Sequence, residues 1–147
     1  MKTLKPFAFV LLVLVLASVV PPPLAGQPST GIAQLKTAGL TATSSTCTAT
    51  ACLQMNVTAG TGGIAVQLAG TFVGTVTFEG TVNGTNWVAI QVIPPGTSRT
   101  GVTTATAAGI WQANVVGLTG FRARCSAFTS GTINVALNRS GHPAPNQ

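Results

Sequence analysis

The stretch Phe121-Arg-Ala-Arg-Cys-Ser-Ala127 places an apolar or small residue at every second position and a polar or charged one between. A strand turns such neighbours to opposite faces, whereas a helix would scatter them around its axis. The same period of two recurs in Ile64-Ala-Val-Gln-Leu68, in the run from Phe72 to Val82, and in Ile133-Asn-Val-Ala-Leu137. Gly-containing turns separate these segments, and almost no long helical pattern interrupts them. Thr and Val, which suit a half-buried pleated surface, fill many of the positions. The pattern predicts an all-β domain: a two-sheet antiparallel β-sandwich, jelly-roll or Ig-like, of seven to nine strands.

Alternation also predicts which side chains face the core. Phe72, Val76, Phe78 and Val82 share one face, and Thr75, Thr77, Glu79 and Thr81 take the other, where they meet water. Phe121, Ala123, Cys125 and Ala127 face inward, Arg122 and Arg124 outward. Thr129-Ser130-Gly131 reads as a three-residue hairpin loop. Its register pairs Cys125 with Val135, Ala123 with Leu137 and Ala127 with Ile133. A second hairpin is expected at Asn83-Gly84-Thr85-Asn86, leading into a strand Trp87-Val-Ala-Ile-Gln-Val-Ile93 that Pro94-Pro95-Gly96 ends. Ile110-Trp-Gln-Ala-Asn-Val115 is a further strand, and weaker ones lie near residues 32–35, 53–57 and 100–104.

With 147 residues, one domain is the expectation. Residues 1–26 stand apart from it. Lys2 and Lys5 precede an apolar run at residues 7–20, followed by Pro21-Pro22-Pro23 and the small residues Ala25 and Gly26. This is the layout of a secretory signal peptide. An uncleaved anchor is the alternative, although the run is shorter than the ~20 residues that span a bilayer. Residues 27–31 read as linker, 32–139 as the β-sandwich, and 140–147 as a disordered tail holding His142. The expected location is secreted, or on a cell or virion surface, with no membrane contact after signal removal.

Composition narrows the chemistry. Glu79 is the sole acidic side chain and His142 the sole histidine. Glycosidases generally use two carboxylates, and hydrolytic triads need a nucleophile, a base and an orienting group. Mg²⁺ and Ca²⁺ sites draw on several oxygen ligands. We therefore expect no enzyme, no cofactor and no metal. Past residue 26, five basic side chains face one acid, a net of +4. Only Arg122 and Arg124 cluster among Lys36, Arg99, Arg122, Arg124 and Arg139, so no nucleic-acid partner is expected. Cys47, Cys52 and Cys125 make an odd count. Cys47 and Cys52 bracket four residues and are the preferred disulfide, which leaves Cys125 as a buried thiol.

Two stretches carry a resemblance. Gly74-Thr-Val-Thr-Phe-Glu-Gly-Thr-Val-Asn-Gly-Thr-Asn-Trp87 resembles the strand–turn–Trp pattern of small sandwich domains in tailed-bacteriophage virion proteins. The stretch from Gly109-Ile-Trp through Gly120-Phe-Arg-Ala-Arg-Cys-Ser-Ala-Phe-Thr-Ser-Gly-Thr is similar to the closing strands of such domains. A looser likeness ties both to discoidin-type, galactose-binding-like jelly rolls. Asn83 stands where Asp is common, and Asn serves the same turn. The export signal is a departure, because most virion proteins assemble without one. The resemblance implies a scaffold and brings no catalytic signature.

Candidate ligand or partner residues follow from side-chain type. Trp87 and Trp111 are able to stack on sugar rings, but core packing is the favoured role for both: Trp111 shares the inward parity of Ala113, and Trp87 follows a tight turn where it caps the core. Arg122 and Arg124 offer planar forks to a sugar, phosphate or carboxylate, set against the ordinary role of outward charges on a strand. The resulting expectation is a non-catalytic structural or adhesive module of a virion (tail or capsid decoration) or cell surface. Such a module self-associates or assembles with other surface or virion proteins. The alternative is a secreted carbohydrate-binding module with glycan partners.

Overall fold

The computed structural model describes residues 34–96 and 100–141. The predicted signal and linker, and most of the predicted tail with His142, lie outside them. Ten strands follow in chain order: β1 (Gln34–Leu40), β2 (Cys52–Asn56), β3 (Thr61–Ala69), β4 (Phe72–Thr81), β5 (Val88–Ala89), β6 (Val92–Ile93), β7 (Thr104–Ala105), β8 (Gly109–Asn114), β9 (Gly120–Gly131) and β10 (Ile133–Gly141). The last runs past the predicted domain end at 139. The first sheet has the order β1-β10-β3-β8-β6. The second has the order β2-β9-β4, with β5 and β7 both paired to the far edge of β4. All pairings are antiparallel. Every connection except β4 to β5 crosses from one sheet to the other.

The core lies between the two sheets. Leu40, Ile64, Val66, Leu68, Val92, Ala113, Ile133, Val135 and Leu137 enter from the first; Leu53, Met55, Val76, Phe78, Phe121, Ala123 and Cys125 enter from the second. Phe78 and Phe121 are its largest fully buried side chains, and truncating either to Ala would cost about 3–5 kcal/mol. At the open side of the sandwich, two cations tie β1 and β10 to the edge at β2. Lys36 Nζ donates to the Gln54 carbonyl at 3.2 Å, and Arg139 Nη1 to the Asn56 carbonyl at 3.0 Å.

The alternation located the buried faces, but the strand partners differ from those it suggested. β9 and β10 form no hairpin. β9 pairs with β2 and β4, while β10 pairs with β1 and β3 in the opposite sheet. Cys125 therefore lies opposite Val76, and Val135 lies between Ala38 and Leu68. Both strands bury one face in the same core from opposite sides, so their patterns match without any pairing between them. Gly131 makes the corner. Its φ is +90°, and a Cβ there would overlap the Thr71 carbonyl oxygen.

Three further expectations are corrected. Ala127 is exposed, because the β4–β9 register skips Ser126 and then Thr129. The bulge at Ser126 reverses the parity, exposing Ala127 and turning Phe128 back against the core, and the one at Thr129 restores it. Val82 is 67% exposed, since β4 ends at Thr81. The segment Trp87–Ile93 is not one strand: β5 belongs to the second sheet and β6 to the first. The expected turn at Asn83 does join β4 to β5. There Asn83 Oδ1 accepts from the Thr85 and Asn86 amides at 3.0 and 2.8 Å, and Gly84 takes φ +75°.

Candidate functional site

The outer face of the second sheet carries the chain's charge chemistry. Register sets Glu79 on β4 directly opposite Arg122 on β9, with Arg124 two residues along. Their neighbours Phe78 and Ala123 face the core, so the three charged side chains project the other way. Arg122 Nε donates to Glu79 Oε2 at 2.5 Å. Arg124 Nη2 donates to Glu79 Oε1 at 2.6 Å, and its Nε reaches both carboxylate oxygens at 3.1 and 3.0 Å. One carboxylate thus holds two guanidinium groups.

These groups do not meet water as the alternation implied. Glu79 is 6% exposed and Arg122 7%. The segment between β1 and β2 folds over them. Thr41 and Ala42 amides donate to the Thr50 carbonyl, Cys47 is joined to Cys52, and Arg124 Nη1 donates to the Ser44 carbonyl at 3.1 Å. From the other side Trp87, delivered by the Asn83 turn, stacks on Arg122, whose Cζ lies 4.4 Å from the ring centroid. Gly120 makes room for the indole: a Cβ there would stand 2.9 Å from Trp87 Cη2. Trp87 therefore caps the ion-pair cluster and not the core.

Burial opposes ionisation of Glu79, but hydrogen bonds and charge from Arg124 and Arg122 outweigh it and hold its carboxyl below the usual range. The hydrogen bond to Glu79 raises the Arg124 guanidinium, against the effect of burial. On the inner face, burial raises the Cys125 thiol, whose Sγ donates to the Ala127 carbonyl at 3.3 Å.

Between the disulfide segment and the Asn83 turn lies a cleft of about 480 Å³. Arg122 and Gln54 come from strands that form its floor; Thr46, Thr85, Asn86 and Trp87 line its walls. Arg122 is unlike Arg124 here. Among the described residues its Nε has a protein acceptor, whereas Nη1 and Nη2 have none. No fully buried side-chain nitrogen or oxygen lacks a partner, so these two nitrogens are reached from the cleft. Of the four candidate surface residues, Arg122, Arg124 and Trp87 come together, and Trp111 takes the core role favoured for it. Trp111 sits on the inner face of β8, its ring centroid 5.6 Å from that of Phe78. The sequence reading missed Gln54, Asn86 and the central part of Glu79. The sole acid lying on the same strand face as a Thr row, at the end of a long strand, was the available signal.

The outer face of the first sheet is different in kind. One row crosses all five strands: Leu35, Asn138, Ala65, Gln112 and Ile93. The next holds Thr37, Ala136, Gln67 and Ile110. No charged residue among those described has outward parity on this sheet, and Leu35, Ile93 and Ile110 are 65%, 43% and 47% exposed. A groove of about 600 Å³ runs along it between Pro94–Pro95 and the amides of Gln112, Asn114 and Asn138.

No family model matches the sequence, and no curated protein matches it. A solved structure, the crystal structure of SPBc2 prophage-derived protein YomS, is similar, with a TM-score of 0.54 and 11% sequence identity. The match covers 74% of this chain and 96% of that one. The two share an all-β fold.

Proposed function

We propose that this chain is a non-catalytic structural module that assembles in multiple copies on a virion or cell surface. The observation that carries this reading is the outer face of the first sheet, which bears no charge among the described residues. A strongly basic chain with +6 net charge nevertheless has five strands of outward Asn, Gln, Thr, Ala and exposed aliphatic side chains. Two copies meeting there would bring no like charges together, and the amides would supply hydrogen bonds. Strand order gives further support. With β6 and β7 set aside, β1-β10-β3-β8 faces β2-β9-β4-β5, and the adjacency of first and last strands in one sheet supports the jelly-roll form of the sandwich. An Ig-like domain keeps more of its consecutive strands in one sheet. Jelly rolls serve widely as viral capsid and lectin domains, and the fold neighbour is a prophage-derived protein. Light scattering and sedimentation test the proposal. We expect concentration-dependent self-association of the wild type, and a monomer for Ala65→Glu with Gln112→Glu. A wild-type monomer at high concentration that also has no partner in virion or envelope fractions would sink it.

A second reading, a secreted module that binds a glycan, is favoured by one specific observation: the cleft beside Trp87, lined by amides and hydroxyls. It uses the opposite face of the sandwich, so the two readings are compatible.

A further inference from the structure

We infer that the cleft between the disulfide segment and the Asn83 turn takes the carboxylate of an acidic saccharide, such as a uronic acid. The inference deepens the glycan-binding reading and rests on it; it is independent of assembly.

The argument starts from charge. Arg122 and Glu79, both buried, and the partly buried Arg124 form one cluster with two positive charges and one negative. Arg124 has committed its Nε and Nη2 to Glu79 and its Nη1 to Ser44. The uncompensated charge therefore falls to Arg122, whose terminal nitrogens are without acceptors. Its side chain is 9% exposed, so the guanidinium is fixed in place and has lost most of its water. Two donors that remain open to the cleft on an otherwise desolvated cation gain most from an acceptor that satisfies both at once. The geometry is already set. Glu79 holds Nε from one side, and Trp87 lies over the plane 4.4 Å away. What remains is a planar two-nitrogen fork, the shape that a carboxylate matches with two parallel hydrogen bonds.

The rest of the lining selects the molecule that bears the carboxylate. Gln54, Asn86, Thr46 and Thr85 are neutral donors and acceptors, suited to ring hydroxyls. Trp87 is only partly buried and offers apolar surface to the C–H face of a sugar. Arg122 is the single cation of the lining among the described residues. A doubly charged phosphate would find no second cation, and an apolar peptide side chain no apolar pocket. The volume, about 480 Å³, falls within the ~300–1,000 Å³ of small-ligand clefts.

Calorimetric titration of the whole protein provides the test, with tetragalacturonate, the neutral galactose tetrasaccharide, triglutamate and inorganic phosphate as separate probes. We expect binding of tetragalacturonate alone. Arg122→Lys keeps the charge and removes the fork, and should weaken binding roughly ten-fold or more. Because Arg122 also supports the fold, Asn86→Asp provides a second variant: Asn86 is exposed, and a negative charge at the cleft wall should repel the acidic sugar while circular dichroism and urea midpoint stay unchanged. Equal binding of the neutral tetrasaccharide would overturn the carboxylate assignment and leave glycan binding standing. Equal binding of triglutamate or phosphate would overturn the saccharide. Absence of binding to every probe would overturn both.

Discussion

Glu79 is an unusual residue to carry a cluster, because it is the chain's single acidic side chain. Acid sensitivity in most proteins sums over many carboxylates; here one side chain dominates it. In the folded state its carboxyl is held below the ordinary value, burial notwithstanding, by Arg124 and Arg122. A lowered folded value means stability that is fully present above the unfolded value, about 4.3 for Glu, and is lost as pH falls through the folded one. We predict a urea midpoint that is flat from neutral pH down to about pH 5 and then drops below the ordinary Glu range. Glu79→Gln should be less stable at neutral pH by about 3 kcal/mol, since it leaves buried Arg122 and partly buried Arg124 beside each other without a counter-charge. Its acid limb should be flat. A wild-type acid limb retained in the Gln variant would show that the titration belongs elsewhere.

At the scale of the element, β9 shows what alternation reports and what it does not. Phe121, Ala123 and Cys125 do face the core, and Arg122 and Arg124 do face away. Period two encodes that much, because a one-residue slip would turn every side chain over. It is silent on strand partners, so β10, with the same pattern, looks like the other arm of a hairpin when it is the facing layer. Nor does it show that an outward face is covered: the segment between β1 and β2 has no periodicity, yet it buries Glu79 and Arg122. The bulges at Ser126 and Thr129 are likewise set by the fit to β4. Two glycines separate corner from hairpin. Gly84 has φ +75° and open space around it, so Gly84→Ala should cost about 1–2 kcal/mol. Gly131 has φ +90° and also abuts the Thr71 backbone, which has no rotamer by which to move away. Gly131→Ala should cost a further 1–3 kcal/mol or so from overpacking. Equal urea midpoints for the two variants would contradict the tight sheet-to-sheet corner.

For the whole molecule, the two outer faces divide the labour of charge. The second sheet gathers Glu79, Arg122 and Arg124 under a lid closed by the Cys47–Cys52 disulfide; the first sheet's outward positions are left without any charge among the described residues. Sequence showed the low charge content, but only topology assigns it to faces, since β10 and β3 had to become neighbours before Asn138, Ala65 and Gln112 could form one row. The division predicts the sign of a salt effect. Two copies meeting on the neutral face gain nothing from ion pairs across the contact, yet each carries a net positive charge that repels the other at a distance. Salt screens that repulsion: the Debye length shrinks from about 10 Å at 0.1 M to about 3 Å at 1 M. Self-association should therefore strengthen as ionic strength rises. A contact held by ion pairs would respond the other way, because screening would weaken those pairs. Sedimentation equilibrium across this salt range distinguishes the two. A dissociation constant that rises with salt would move the contact off the first sheet, and Ala65→Glu with Gln112→Glu would then leave it intact.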